Sequence, residues 1–194
     1  MRLFVAIAPP PDVLDELDAL AAPFRTARTD LRWTSREAWH VTLAFLGEVN
    51  ETALTRLLPR LERAAHRHAE IKLAFAGAGA FPDPLRANVL WSGLSGDLRA
   101  LGNLAASVAA GARRAGAPPA GKNRRFQPHL TLARCRLPAD VSGIVAGLAG
   151  YQGQAWNLDQ IHLVRSHLRG PAKPTYSSVA CWALSGNEPC GYED

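Results

Sequence analysis

Short strand patterns and longer helical patterns alternate along the chain. The apolar run 3–7 predicts a buried strand, and Asp12 is placed to cap a helix after the prolines that follow this run. Apolar residues then recur at helical spacing, which predicts one buried helix face: Leu14, Leu17, Leu20 and Phe24. Helical patterns also cover 51–70 and 98–114, and Pro59 is expected to kink or split the first of these.

The remaining apolar stretches are short and read as strands. They cover 31–33, a stretch from Val41 that ends at Gly47, 71–76, 87–94, 155–157, 160–166 and 177–184. Helices and strands in this order favour an α+β fold with antiparallel sheets over a doubly wound parallel sheet. No linker or low-complexity tract divides the chain, so a single domain over 1–194 is expected.

Two of these stretches carry the same phrase, His-aliphatic-Thr-Leu. The first is WHVTLAFLGEV, with His40 and Thr42, and the second is QPHLTLARCR, with His129 and Thr131. Side chains two apart in a strand share a face, so each phrase presents an imidazole and a hydroxyl together. The repeat predicts two similar halves, related by a pseudo-twofold axis, whose strands face each other across a groove.

Two imidazoles and two hydroxyls suit in-line displacement at phosphorus. With an ordinary pKa of about 6.5, one histidine can take a proton from water while the other gives a proton to the leaving oxygen. The hydroxyls can donate to the charged non-bridging oxygens, and no metal or other cofactor is needed. A zinc site is a weaker interpretation of the two histidines, because no third ligand lies at a recognisable spacing from them. The spacing leaves open which histidine is the acid.

Composition adds a mild preference for an anionic partner. The 194 residues carry a formal net charge of +5, and five basic residues surround the loop before the second phrase: Arg113, Arg114, Lys122, Arg124 and Arg125. They could bind the phosphates of such a partner or simply be solvated, and Arg125, nearest the second phrase, is the strongest candidate of the five. Three cysteines without a CxxC pair indicate neither a zinc site nor a disulfide framework, which fits a cytoplasmic protein. No stretch is long enough to span a membrane, and the first apolar run is too short for a signal peptide.

Other candidates rest on weaker patterns. Arg134 lies three residues after Thr131, so a regular strand would place it on the opposite face; only a bulge or strand end could turn it into the groove. Three aromatic residues could stack on a base, although core packing is the commoner role: Phe126, Trp33 and Tyr176. His162 and His167 could support the site or simply lie in the core or on the surface.

These phrases and their flanking words resemble the two-histidine phosphoesterases, most closely the bacterial and archaeal RNA 2′,3′-cyclic phosphodiesterases first described as 2′-5′ RNA ligases. The segments that carry the resemblance are RLFVAIAPP, RWTSREAWHVTLAFLGEV, FPDPLRANVLWSGL, RRFQPHLTLAR, IHLVRSHL and YSSVACWAL. The resemblance implies two lobes, each an antiparallel sheet with outer helices, around a central cleft.

The resemblance also implies roles for individual residues. His40 would protonate the departing 3′ oxygen, His129 would activate water, and Thr42 and Thr131 would hold the phosphate. Arg134 would help to bind the substrate, an RNA with a 2′,3′-cyclic phosphate end or a small cyclic nucleotide. We expect a 2′-phosphate product and a monomer.

Two other functions stay open. The same groups could join RNA ends through a 2′-5′ bond with a 5′ hydroxyl in place of water, by microscopic reversibility. A non-catalytic module that binds nucleotides or RNA ends would use the same groove, although a pure binder needs no acid–base pair.

Overall fold

The computed structural model describes residues 1–120, 126–167 and 175–185. Four α-helices and nine strands are present in this part of the chain, together with one 3₁₀ turn at Arg36–Ala38. In chain order they are β1 Arg2–Ile7, α1 Pro11–Ala27, β2 Arg32–Trp33, β3 Val41–Glu48, α2 Glu51–Ala65, β4 Ile71–Phe81, β5 Ala87–Gly96, α3 Leu98–Ala115, β6 Leu130–Ala139, α4 Ser142–Gly147, β7 Trp156–Leu158, β8 Gln160–His167 and β9 Thr175–Ala183.

All nine described strands belong to one antiparallel sheet with the order β7-β4-β5-β6-β3-β1-β8-β9, and β2 pairs with β6. The two strands that follow the repeated histidines, β3 and β6, are neighbours at the centre of this order. Three strands extend outward from each of them. The sheet therefore consists of two halves that meet where the two phrases meet, and the expected α+β class with antiparallel strands is confirmed.

The helices cover the apolar face of the sheet. Helices α2 and α3 pack against each other, and α3 also lies against β3. In the other half, Gly147 of α4 lies against the ring of Phe24 in α1. Val41 and Leu130, on the face turned toward the helices, are fully buried in one continuous core. The opposite face carries the polar residues of the two phrases.

Several details differ from the sequence-based expectation. Helix α1 begins at Pro11 with Pro10 as its N-cap residue, so Asp12 lies inside the first turn and does not cap the helix. Helix α2 continues through Pro59 instead of splitting, because Pro59 and Thr55 are exposed and the carbonyl left unpaired can bond to water. Strand β4 extends to Phe81, and the short α4 had no clear pattern. Cys181 is disulfide-bonded, although the cysteine pattern did not indicate a disulfide framework. Among the described residues, no helix is long and apolar enough to cross a membrane.

Candidate active site

The register between β3 and β6 places the four motif residues around one point. Within the described residues, these strands are paired through Val41 opposite Leu130. Extending this antiparallel register by one residue each way puts His40 opposite Thr131 and Thr42 opposite His129.

These four side chains are the corners of a quadrilateral on the polar face of the sheet. The two histidines occupy one diagonal and the two threonines the other. Diagonal neighbours on adjacent antiparallel strands are about 7–8 Å apart. A phosphate above the centre would therefore have an imidazole on each of two opposite sides and a hydroxyl on each of the others.

A bulge in β6 brings Arg134 to the same face. Leu90 and Trp91 of β5 pair with Ala133 and Thr131, so Leu132 is the extra residue between them. Leu132 and Ala133 are both fully buried, and the alternation resumes with Arg134 exposed on the side of Thr131. Strand periodicity alone predicts that Arg134 lies on the opposite face. The bulge makes this prediction wrong.

Strand β3 contains the matching bulge. Ala44 and Thr42 pair with consecutive residues of β1, so Leu43 is the extra residue. Ala44 is buried, and Phe45 is 50% exposed on the motif side, at the position equivalent to Arg134. The two halves thus share backbone geometry but differ in chemistry at this position: a guanidinium in one half and a phenyl ring in the other.

Each motif histidine is oriented by a backbone carbonyl two residues before it. Nδ1 of His40 lies 2.8 Å from the Ala38 oxygen, and Nδ1 of His129 lies 2.7 Å from the Gln127 oxygen. A carbonyl only accepts hydrogen bonds, so Nδ1 carries the proton in both rings. Nε2 is consequently the nitrogen that can exchange a proton with a ligand.

Aromatic rings from outer strands hold His40. Phe4 of β1 lies 4.8 Å from the His40 ring, and Tyr176 of β9 meets it edge-on at 5.3 Å, both between ring centroids. Phe4 and Tyr176 also contact each other at 5.4 Å. Phe4 is buried, whereas Tyr176 is 37% exposed, so Tyr176 forms part of the accessible wall beside His40.

His129 is held in the corresponding way by its own half of the sheet. Phe81 of β4 meets it edge-on at 5.0 Å, and Trp91 of β5 lies 6.0 Å from it, again between ring centroids. Gly79 is the cross-strand partner of Trp91, and a Cβ at this position would overlap the indole. Gly79 therefore makes room for the Trp91 ring that contacts His129.

Burial lowers the pKa of both motif histidines below the ordinary value of 6.5, and the bonds to Ala38 and Gln127 act in the opposite direction. The positive charge of Arg134 lowers both pKa values further, and that of His40 is also lowered by His129. Arg134 is thus electrostatically coupled to both rings. The unliganded site favours two neutral imidazoles, and a bound anion would favour the protonation of one of them.

The other predicted site residues lie in different surroundings. Arg125 lies outside the described residues. Phe126 is half-buried against the hydrophobic core, as is Trp33, whose indole N–H donates to the Arg28 carbonyl at 2.9 Å. Of the three aromatic candidates for base stacking, Tyr176 is the one whose ring contacts a motif histidine.

The remaining histidines and the free cysteine lie outside the motif quadrilateral. His162 lies on β8, with Nε2 buried and without a hydrogen-bond partner, and His167 bonds to Ser177 at 2.8 Å. Burial raises the pKa of the Cys135 thiol, which disfavours a thiolate nucleophile. Across the three described ranges, no three His, Cys, Asp or Glu side chains come together where they could hold a metal ion.

Sequence reasoning missed four residues that shape the site: Phe4, Gly79, Phe81 and Trp91. Aromatic residues in strands are usually core residues, so three of them gave no distinct signal. Gly79 did carry a weak signal, because a glycine inside a strand often marks a close approach by another group.

Comparison with known proteins places this geometry among phosphoesterases. A family model described as LigT like phosphoesterase matches residues 7–91 and 94–176. A protein from Archaeoglobus fulgidus named RNA 2′,3′-cyclic phosphodiesterase is 31% identical over 185 residues, which are 92% of this chain and 98% of that protein.

Solved structures agree along nearly the whole chain. A crystal structure of a Thermus thermophilus protein matches with a TM-score of 0.75 and 29% identity, covering 97% of this chain and 100% of that one. Escherichia coli LigT complexed with 3′-AMP matches with a TM-score of 0.73 and 26% identity, covering 94% and 97% respectively.

Proposed function

The chain belongs to the LigT like phosphoesterase family, and we propose that it hydrolyses 2′,3′-cyclic phosphate ends of RNA to 2′-phosphates. The name RNA 2′,3′-cyclic phosphodiesterase, borne by the Archaeoglobus relative, supports this activity. The observation that carries the proposal is the diagonal placement of His40 and His129, which follows from the pairing of Val41 with Leu130.

Hydrolysis requires one proton acceptor and one proton donor on opposite sides of phosphorus. Neutral His129 accepts a proton from water at Nε2 while the water oxygen forms a bond to phosphorus. The bond from phosphorus to the 3′ oxygen breaks, and protonated His40 donates from Nε2 to that oxygen. The product carries a 2′-phosphate and a free 3′ hydroxyl, and the two histidines reset by proton exchange with solvent.

The remaining polar groups at the site stabilise the charge on the phosphate. Thr42 and Thr131, on the other diagonal, donate hydrogen bonds to the two non-bridging oxygens, which are most negative in the transition state. Arg134 adds a positive charge on the same face, so it favours the binding of an anionic substrate. The substrate phosphate, in turn, raises the pKa of the histidine that must act as the acid.

The ligand is an RNA end or a small cyclic nucleotide. The structure of E. coli LigT with 3′-AMP supports a nucleotide ligand for this fold. Because both motifs come from one chain, a single bilobal unit over 1–194 completes the site, and we propose a monomer.

The test is product analysis with a short RNA that ends in a 2′,3′-cyclic phosphate, in excess chelator. We expect a 2′-phosphate product, identified against 2′- and 3′-phosphate standards by chromatography. His40→Ala and His129→Ala should each abolish turnover, whereas His66→Ala, in an exposed position after α2, should retain it.

Circular dichroism of each variant would separate loss of chemistry from loss of fold. Full turnover in either motif variant would contradict the assignment, and a 3′-phosphate product would reverse the proposed cleavage. Adding excess RNA with a 5′ hydroxyl would reveal 2′-5′ joining by the same groups.

A further inference from the structure

A groove of about 510 Å³ lies between α2 and α3 and is lined by four arginines. Arg60, Arg63 and Arg67 come from α2 and its C-terminal end, and Arg114 comes from the last turn of α3. Residues 60, 63 and 67 are spaced at three and four positions, so they follow one side of the helix over about 10 Å at 1.5 Å per residue.

None of these four arginines is neutralised within the described residues. The ion pairs found there are Met1–Glu48, Arg25–Asp18, Arg28–Asp30 and Arg36–Asp15. No acidic side chain lines the groove in this part of the chain. Glu62 is exposed, but its place in the helical turn points it away from the row formed by Arg60, Arg63 and Arg67. The four positive charges therefore repel one another until an anion binds between them.

The floor of the groove consists of small residues, which bring the two helices close together. A Cβ at Gly111 would lie 3.4 Å from the Arg60 carbonyl oxygen, so the glycine lets α3 approach the α2 backbone. Ala64, Ala106 and Ala110 also line the groove, and Ser107 bonds to Nε2 of His68 at 2.9 Å. The groove is thus formed by packed helices, with long cationic side chains around a shallow floor.

We propose that this groove binds the phosphodiester backbone of RNA at a site separate from the motif histidines. A row of unpaired guanidiniums along about 10 Å matches a strand that carries one negative charge per roughly 3.4 Å. The planar guanidinium of arginine can also donate two hydrogen bonds at once to phosphate oxygens.

The position of the groove makes it a second site, not an extension of the first. Helix α3 packs on the face of β3 that buries Val41, while the motif side chains lie on the opposite face. The sheet and the helical layer therefore separate the groove from the cleft.

An anionic membrane is a less suitable ligand for this surface. The large exposed hydrophobic residues of the described chain lie elsewhere, and none of them lines the groove: Phe45, Leu85, Leu98, Leu137 and Tyr176. A membrane-binding surface would combine its basic residues with apolar side chains that insert between lipids.

The experiment measures binding of a single-stranded RNA of about 20 nucleotides with an ordinary 3′ hydroxyl, by fluorescence anisotropy across a salt series. This RNA has no cyclic phosphate, so the result is independent of the proposed hydrolysis. The test variant replaces all four groove arginines by glutamine. The matched control variant replaces Arg86, Arg99, Arg113 and Arg165 instead, which removes the same charge from exposed positions that do not line the groove.

We expect the groove variant to weaken RNA binding at least about tenfold at low salt and to reduce the salt slope by about 3, at about 0.7 for each lost phosphate contact. The control variant should change the slope by less than about 1. Equal effects of the two variants, or wild-type binding in the groove variant, would overturn the proposal. The proposal would also be overturned if binding to phosphatidylserine vesicles depended on the four groove arginines while binding to RNA did not.

Discussion

Val41 and Leu130 are direct cross-strand partners at the centre of the sheet, and each is preceded by a histidine and followed by a threonine. Because both partners are fully buried, the alternation of the strands turns all four polar neighbours to the other face. One backbone pairing thus places two imidazoles on opposite sides of a common centre.

Removing either threonine hydroxyl should slow catalysis without unfolding the protein. Thr42→Val and Thr131→Val keep the side-chain shape but lose the donor to a non-bridging oxygen. We expect each to lower kcat/KM by about 10²-fold, the usual effect of losing one such donor. Thr55→Val is the matched control, because that hydroxyl donates to the Glu51 carbonyl of its own helix and lies on an exposed helix surface. Activity within twofold of wild type in both motif variants would contradict the role.

Neutralising Arg134 should change both affinity and pH dependence. Its charge lowers the pKa of both motif histidines, so Arg134→Met should raise both and shift the kcat/KM profile toward higher pH. KM should rise because an attractive charge is lost. Arg136→Met removes the same charge two residues along β6, and that charge is not among the causes of either histidine shift. Identical pH profiles for the two variants would contradict the coupling.

A methyl group at position 79 should disturb His129 from a distance. The added Cβ of Gly79→Ala overlaps the Trp91 ring, which must move and disturb its contact with His129. We expect kcat to fall about tenfold or more, since misplacement by about 1 Å can cost 10²-fold. Gly102→Ala is the control, because its Cβ would meet nothing within 4 Å and should favour the α3 helix.

A second substitution separates this effect from general destabilisation. Trp91→Phe provides a smaller ring, so combining it with Gly79→Ala should restore part of the lost kcat relative to Gly79→Ala alone. The two positions do not clash if the loss of kcat in the double variant, on a logarithmic scale, equals the sum of the losses in the two single variants.

Stability should decrease as the pH falls below the ordinary histidine value of 6.5. Burial lowers the pKa of four histidines in the folded protein, with Asp159 partly offsetting the shift at His162: His40, His68, His129 and His162. Below 6.5 the unfolded chain therefore binds more protons than the folded chain, and the free energy of unfolding declines until the folded-state pKa values are passed.

Urea unfolding at a series of pH values between about 7 and 5 would measure this decline, above the range in which carboxylates titrate. His162→Phe removes one of the four histidines whose pKa is lowered, so it should make the slope shallower. The same slope in this variant would show that His162 does not contribute.

Several elements were predictable because their causes are local. The period of apolar residues located α1, α2, α3 and most strands, and the spacing of two within each phrase placed His40 with Thr42 and His129 with Thr131. The end of β4 and the short α4 were missed, since neither has a distinct local pattern. Pro59 was misjudged because its effect depends on whether the unpaired carbonyl meets water or protein.

The sequence by itself determined which residues are candidates for the chemistry, because residue type and strand alternation are properties of short segments. Only the tertiary structure decided that β3 and β6 are neighbours, that bulges at Leu43 and Leu132 turn Phe45 and Arg134 to the motif face, and that aromatic rings enclose each histidine. These features depend on hydrogen bonds and packing between segments far apart in the chain, where one residue of register reverses the face of every following side chain.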